Sequence, residues 1–400
     1  MYQPVSPALA VSTPRPRVFE FGHRTRLVLG SGVWLRALAE ARVFGDHALL
    51  ITGAASLARL GVRPLLLAEA ERLGLRLCHF SVLHEPDVEI TDQAAALARS
   101  SGVFSVLGIG GGSALDVAKA AAALATNPGS ARDYLEGLPG PGPKAFGAPP
   151  LPVICVPTTA GTGSEVTKNA VLQVADLHVK RSMRSELLFP YSAFIDPLLS
   201  GQAPLGVRAG TGFDALTHLI EAFCSSNASP LTDALAKDGI FRAIRGLQSL
   251  ARGTANEADA YDLAVASTLG GICLANAGLG AAHGLIAPLG GLYPNIPHGA
   301  GLACLLPATL AINAAAAEAS PLASARLLEL WRLLAVDTAS EAVRLLSELR
   351  LALGLPTLAS YAQIDVDRVI KSPSGSLKTN PVPLGEPDLR ALLELALSAS

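Results

Sequence analysis

Val103-Phe104-Ser105-Val106-Leu107-Gly108-Ile109-Gly110-Gly111-Gly112-Ser113-Ala114-Leu115-Asp116-Val117-Ala118-Lys119 passes from an apolar, β-rich run through three consecutive glycines into an Ala-rich helical pattern. Strand, glycine turn and helix in that order suit a bound phosphate. Glycines let the backbone approach a pyrophosphate closely, and a helix N-terminus offers unpaired N–H groups and the positive end of a dipole. The spacing is not GxGxxG, because Ser113 stands at the third glycine place counted from Gly108. A tight strand-to-helix turn without a ligand remains the alternative at this level.

The flanking sequence repeats the strand–helix alternation. Strands are expected at Arg26–Leu29, His47–Ile51, Leu75–Val82 and Val153–Val156. Helices are expected at Val33–Arg42, from after Ile51 to about Gly61, at Thr91–Ser100 with Thr91 as N-cap and Gly102 just past the end, and at Ser113–Ala125. Such alternation predicts a parallel sheet with helices on its faces. Gly137–Pro152 is crowded with Gly and Pro and reads as a surface loop. From about Pro204 the strand signals fade, and helical patterns occupy Gly212–Ser225, Thr232–Leu250, Ala258–Ala277, Ser320–Ala335, Ser340–Leu353 and Asp388–Ser398. The expectation is a loose extension over 1–17, an α/β domain over 18–203 and an all-helical domain over 204–400, joined near Leu199–Val207. A cleft between two domains is a common ligand site.

The chain has 400 residues, half of them hydrophobic, and a net charge of −2 without a long basic run. Nucleic-acid and membrane-surface binding therefore lack electrostatic support. Cys78, Cys155, Cys224, Cys273 and Cys304 are scattered and form no CxxC, which favours a reducing compartment over a disulfide framework. The N-terminal residues lack a basic segment followed by an apolar run, so no secretory signal is read there and a cytoplasmic location is expected.

The 55 residues Leu263–Ala317 contain no Asp, Glu, Lys or Arg, but do contain His283 and His298. The stretch is long enough to span a membrane, yet its glycines, prolines and asparagines interrupt every candidate span, and a buried core is expected instead. Upstream, Asp214 and His218 are four residues apart and share one helix face. One carboxylate and three imidazoles can form a four-ligand site for a divalent metal. A single buried histidine is more commonly a satisfied core residue. A second polar turn, Pro157-Thr158-Thr159-Ala160-Gly161-Thr162-Gly163-Ser164-Glu165, suits a nucleotide or is an ordinary hydroxyl-rich loop.

Gly110-Gly111-Gly112-Ser113-x-x-Asp116-x-x-Lys119, the Pro157–Glu165 loop, Gly212-Phe213-Asp214-Ala215-Leu216-Thr217-His218-x-x-Glu221, Ala282-His283-Gly284 and Pro297-His298-Gly299 together resemble the signature segments of the iron-containing (group III) alcohol dehydrogenases. The resemblance runs from about residue 18 to the end. It implies a Rossmann-like, dinucleotide-binding α/β N-terminal domain and an all-α, metal-binding C-terminal domain, in an architecture shared with dehydroquinate synthase. It also implies a metal, Fe(II) or alternatively Zn(II), held by Asp214, His218, His283 and His298. By the same resemblance, Gly110, Gly111, Gly112 and Ser113 hold the pyrophosphate with Asp116 nearby. Thr158, Thr159 and Thr162 line the adenosine side, and Lys180 reaches the cofactor ribose. The implied reaction is alcohol–aldehyde or alcohol–ketone interconversion by hydride transfer with NAD or NADP, on a small-molecule substrate, by a homodimer or larger homo-oligomer. Glu221 is expected behind the ligands or on a helix surface.

The sequence departs from the pattern in three places. Ala287 stands where many relatives have a second histidine, four residues after His283. The His283–His298 segment is one residue longer than in several relatives, around Gly291–Asn295. Gly53 takes the place of an acidic residue that binds the ribose 2′-hydroxyl in NAD-preferring enzymes, while Ser56 and Arg59 follow, which favours NADP or dual use. Alternatives are a maleylacetate reductase-like keto-acid reductase and a non-catalytic nucleotide- and metal-binding relative.

Overall fold

The computed structural model describes residues 18–54, 56–371 and 374–398; the expected extension over 1–17 lies outside them. The first part contains β1 (Arg26–Leu29), α1 (Arg36–Phe44), β2 (His47–Gly53), α2 (Ser56–Leu60), α3 (Arg63–Arg72), β3 (Arg76–Val82), α4 (Val88–Ser101), β4 (Ser105–Gly110), α5 (Gly112–Thr126), β5 (Val153–Pro157), β6 (Asn169–Val174), β7 (Val179–Arg184) and β8 (Ser192–Ile195). Six strands form one parallel sheet in the order β1-β8-β5-β4-β2-β3. Side-chain alternation sends Leu49, Ile51, Val106 and Cys155 to the face covered by α4 and α5. Ala48, Leu50, Leu107 and Ile154 go to the face covered by α1 and α3. The chain leaves β2 outward to β3 and returns on its other side as β4. The crevice beyond the C-terminal ends of β2 and β4 is thus the topological switch point, where α/β sheets bind ligands.

The second part is helical among the described residues: α6 (Pro197–Gly201), α7 (Leu205–Cys224), α8 (Pro230–Ala251), α9 (Glu257–Ala277), α10 (Ala281–Leu292), α11 (His298–Ala317), α12 (Pro321–Leu333), α13 (Ala339–Ala352), α14 (Leu358–Tyr361), α15 (Val366–Ile370) and α16 (Glu386–Ser398). Helix α7 is central, packed against α8, α9 and α11. Helices α9 and α10 meet at a bend of 100° around Gly278–Gly280. Helix α11 is long and apolar enough to cross a membrane by length and composition alone, but most of it is buried in this core.

Several elements differ from the sequence expectation. The N-cap of α4 is Asp87, whose Oδ1 accepts from the Ile90 N–H at 2.8 Å. Thr91 lies one turn inside and donates its hydroxyl to the Asp87 carbonyl. The hairpin β6–β7, strand β8 and helix α3 were not foreseen. Helices α10 and α11 continue through Pro288 and Pro307, which break the usual helical pattern.

Candidate metal centre and dinucleotide turns

Asp214 and His218 occupy successive turns of α7 and face inward, 2% and 4% exposed. Gly270 of α9 passes close by; a Cβ there would lie 3.2 Å from the His218 Cβ. His283 sits in the first turn of α10, immediately after the bend, and His298 is the first residue of α11. The start of α10 is fixed from two sides. The Ala281 N–H donates to Asn380 Oδ1 at 3.0 Å, and the Ala282 N–H to Glu221 Oε1 at 2.7 Å.

The four side chains converge on one atom. Asp214 Oδ1 lies 3.5 Å from His218 Nε2, 3.5 Å from His283 Nε2 and 3.8 Å from His298 Nε2. Potential ligand atoms of Asp214, His283 and His298 all fall within 4.8 Å of one another; His218 completes the set through its distance to Asp214. The His218 and His283 rings are stacked with centroids 4.5 Å apart. Asp214 Oδ1 and His283 Nε2 are buried without a hydrogen-bond partner. Such orphans are rare in a folded interior and call for an ion or another bound group.

Glu221 explains the direction in which His283 points. Its Oε2 accepts from His283 Nδ1 at 2.6 Å. A carboxylate there holds a proton on Nδ1, so that Nε2 is the nitrogen that gives up its proton and turns a lone pair toward Asp214 when a cation binds. Asp214, His218 and Glu221 lie at i, i+4 and i+7 of α7, so one helix face carries both the ligands and the orienting carboxylate.

The titration pattern is that of a site shaped for a cation. Burial opposes ionisation of Asp214, but the surrounding imidazoles outweigh it and hold the carboxyl well below its usual range. Burial lowers His218 to about 4 against the pull of Asp214. For His283, the neighbouring carboxylates of Asp214 and Glu221 overcome burial and lift it to about 9. His298 stands at the mouth with 41% of its side chain exposed. Its imidazole is lowered by desolvation and by the positive charges of His283 and Lys180. The donor set of one carboxylate and three imidazoles, with two orphaned atoms pointing at each other, fits a divalent metal. Ala287, one turn beyond His283 on α10, is partly exposed and carries no group that can exchange a proton.

At the switch point, Gly111 caps α5 without a side-chain hydrogen bond, and the first turn contains no acidic residue. Gly111, Gly112 and Ser113 are partly exposed, as are Thr159 and Thr162 opposite them. The two turns touch at the glycines: a Cβ on Gly112 would lie 2.7 Å from Thr162 Cγ2, and one on Gly111 3.3 Å from Thr159 Oγ1. Gly110 is packed tightly as well, since its Cβ would lie 2.6 Å from that of Ala114. Thr158 is buried, and its N–H donates to the Gly110 carbonyl. Gly53 ends β2 beside this crevice, with Ser56 Oγ donating back to its carbonyl at 3.1 Å.

Asp116 is placed differently from the other expected contacts. Its carboxylate accepts from Ser164 Oγ at 2.5 Å and the Val171 N–H at 3.0 Å, and pairs with Lys119. Lys180, on β7, is mostly buried against Gly290 of α10 and pairs with Glu85 at 2.8 Å. Sequence reasoning left out Lys119, Ser164 and Glu85. Nothing local marks Glu85, whereas Lys119 and Ser164 lie inside the two quoted motifs.

Comparison with known proteins finds matches along most of the chain. The family model for iron-containing alcohol dehydrogenase matches residues 24–197, and that for the C-terminal part of the Fe-containing alcohol dehydrogenase family matches 208–394. Long-chain-alcohol dehydrogenase 1 of Geobacillus thermodenitrificans is 36% identical over 280 residues, 70% of this chain and 69% of that protein. Alcohol dehydrogenase 4 of Schizosaccharomyces pombe is 31% identical over 380 residues, 92% of this chain and 87% of its own. The structure of sulfoacetaldehyde reductase from Bifidobacterium kashiwanohense in complex with NAD+ superimposes with a TM-score of 0.82 at 25% identity, covering 96% of this chain and 100% of that one.

Proposed function

Because the chain belongs to the iron-containing alcohol dehydrogenase family, we propose that Asp214, His218, His283 and His298 hold its divalent metal. The activity is that of an oxidoreductase interconverting an alcohol and its carbonyl compound. The observation that carries the ligand assignment is the pair of orphaned atoms, Asp214 Oδ1 and His283 Nε2, with two further imidazoles directed at the same oxygen. Iron(II) is the proposed ion, and zinc(II) has compatible donors. Such an ion supplies Lewis acidity toward an alcohol or carbonyl oxygen.

The chain's own residues do the rest. Glu221 keeps the His283 proton on Nδ1. The uncharged walls formed by α9 from Leu263 onward, α10 and α11 keep the local dielectric low, so charges at the centre act strongly. Gly110, Gly111, Gly112 and Ser113 are proposed to receive the pyrophosphate at the uncapped start of α5, with Thr159 and Thr162 alongside. Thr158 holds the second turn to β4, and Lys180 is proposed to reach the ribose. Gly53 contributes no carboxylate at the end of β2, which supports NADP or dual use over NAD alone. A homodimer or larger homo-oligomer in the cytoplasm is the proposed setting.

Metal analysis combined with NADH and NADPH oxidation over a panel of aldehydes tests this reading. Expected is one divalent ion per chain and turnover that a chelator abolishes and iron(II) or zinc(II) restores. A protein that binds metal and nucleotide but turns over no aldehyde overturns the assignment as an active enzyme.

A further inference from the structure

Lys119 is the second-largest fully buried side chain among the described residues, and no part of the metal centre explains it. Its ammonium lies between α5 and the single segment that runs from Ser164 to Asn169. It donates to the Ser164 carbonyl at 2.9 Å, to Thr167 Oγ1 at 3.1 Å and to the Asn169 carbonyl, and lies 3.2 Å from Asp116 Oδ1. Asp116 in turn holds the Ser164 hydroxyl and the Val171 N–H. The second turn is therefore pinned at both ends. Thr158 is tied to β4 through the Gly110 carbonyl, and Ser164 is tied to α5 through both charges. The intervening residues are pressed between the first turn and the helices of the second part. A Cβ on Gly161 would lie 2.5 Å from Thr211 Cβ of α7, and one on Gly163 2.5 Å from the Gly271 Cα of α9.

We propose that Asp116 and Lys119 are positioning residues that clamp Ser164, and so hold Thr159 and Thr162 in contact with Gly111 and Gly112, fixing the shape of the surface that the two turns together offer a pyrophosphate. This rests on the reading of those turns as a dinucleotide site. Neither charge touches the ligand in this account. Each acts by holding Thr159 and Thr162 opposite Gly111 and Gly112.

Ser164→Ala removes one link while leaving both charges paired, and Asp116→Asn weakens the whole clamp. Direct titration with NADH and NADPH should show a dissociation constant raised roughly tenfold in Ser164→Ala, the scale of one hydrogen bond to a charged group, and more in Asp116→Asn. For Ser164→Ala, KM for the dinucleotide should rise with it while kcat at saturation stays within about twofold. Ser164→Ala that melts earlier but binds dinucleotide like the wild type shows a merely structural role and overturns the proposal. Should Asp116→Asn fail to fold, Ser164→Ala alone decides. A wild-type protein that binds neither dinucleotide overturns both this proposal and the reading of the turns; one that binds without turnover overturns the activity alone.

Discussion

Two buried clusters in this molecule each combine carboxylate with basic side chains, and they are built on opposite principles. Around Lys119 every charged atom is matched: the ammonium has three oxygen acceptors and a carboxylate, and Asp116 has a hydroxyl and an N–H. Around Asp214 the matching fails at the centre, where a carboxylate oxygen and an imidazole nitrogen face one another unpaired. A satisfied buried network fixes the fold. A cluster whose His283 is anchored from outside by Glu221, and which is left open within, is prepared for something the chain does not supply. Buried charge alone does not reveal function. The distribution of partners around it does.

This contrast can be broken by experiment. The largest effect is expected at the open cluster. Asp214→Asn should lose metal and reduce turnover by roughly a thousandfold or more, about 4 kcal/mol of transition-state stabilisation, with little loss of thermal stability. Elemental analysis, kinetics and melting on the same preparation check it; retained metal would sink the ligand assignment. The closed cluster should respond in reverse. Lys119→Met leaves the largely buried Asp116 without its cation and should cost about 3 kcal/mol in urea unfolding while the metal ligands remain intact.

Glu165 gives a pH test on the same side of the comparison. It is 2% exposed beside this cluster, and burial lifts its carboxyl from 4.5 to about 7. The folded state therefore keeps a proton that the unfolded state releases between those values. Its contribution to stability is greatest at and below about pH 4.5, falls by up to about 1.4 kcal/mol per pH unit as pH rises, and levels off above about pH 7. Glu165→Gln should flatten this slope in unfolding curves measured from pH 5 to 8; an unchanged slope would assign it to other groups. The smallest effect is expected at the support of the open cluster. Glu221→Gln should weaken metal binding by roughly 10–100-fold, read by competition with a chelator, because the amide no longer enforces the His283 tautomer.

Much of the fold was legible where periodicity was strong. β1 begins and ends as the sequence predicts, and α5, α8, α9 and α16 differ from their expected spans by only a few residues at each end. The omissions have physical causes. The β6–β7 hairpin turns through His178, which stands in the left-handed region at φ 52° without a glycine signal. Pro288 and Pro307 hid α10 and α11, whose continuity comes from burial rather than propensity. Asp87 surpassed Thr91 as a cap because the helix starts at Val88, three residues earlier than the apolar pattern suggests. At the site, Asp214 and His218 were joined by helical spacing alone, and Glu221 continues that spacing.

The sequence by itself determined the strand–glycine–helix unit, the uncharged stretch from Leu263 to Ala317 and the four metal-binding candidates, because these depend on residue type and short-range period. Only the tertiary structure decided which buried polar atoms are paired. It bent the chain between α9 and α10 so that His283 faces α7, and it carried His298 to the mouth across the longer Gly291–Asn295 segment. It also turned Asp116 toward Ser164 and Val171. Hydrogen-bond satisfaction joins residues tens of positions apart, and no local pattern encodes it.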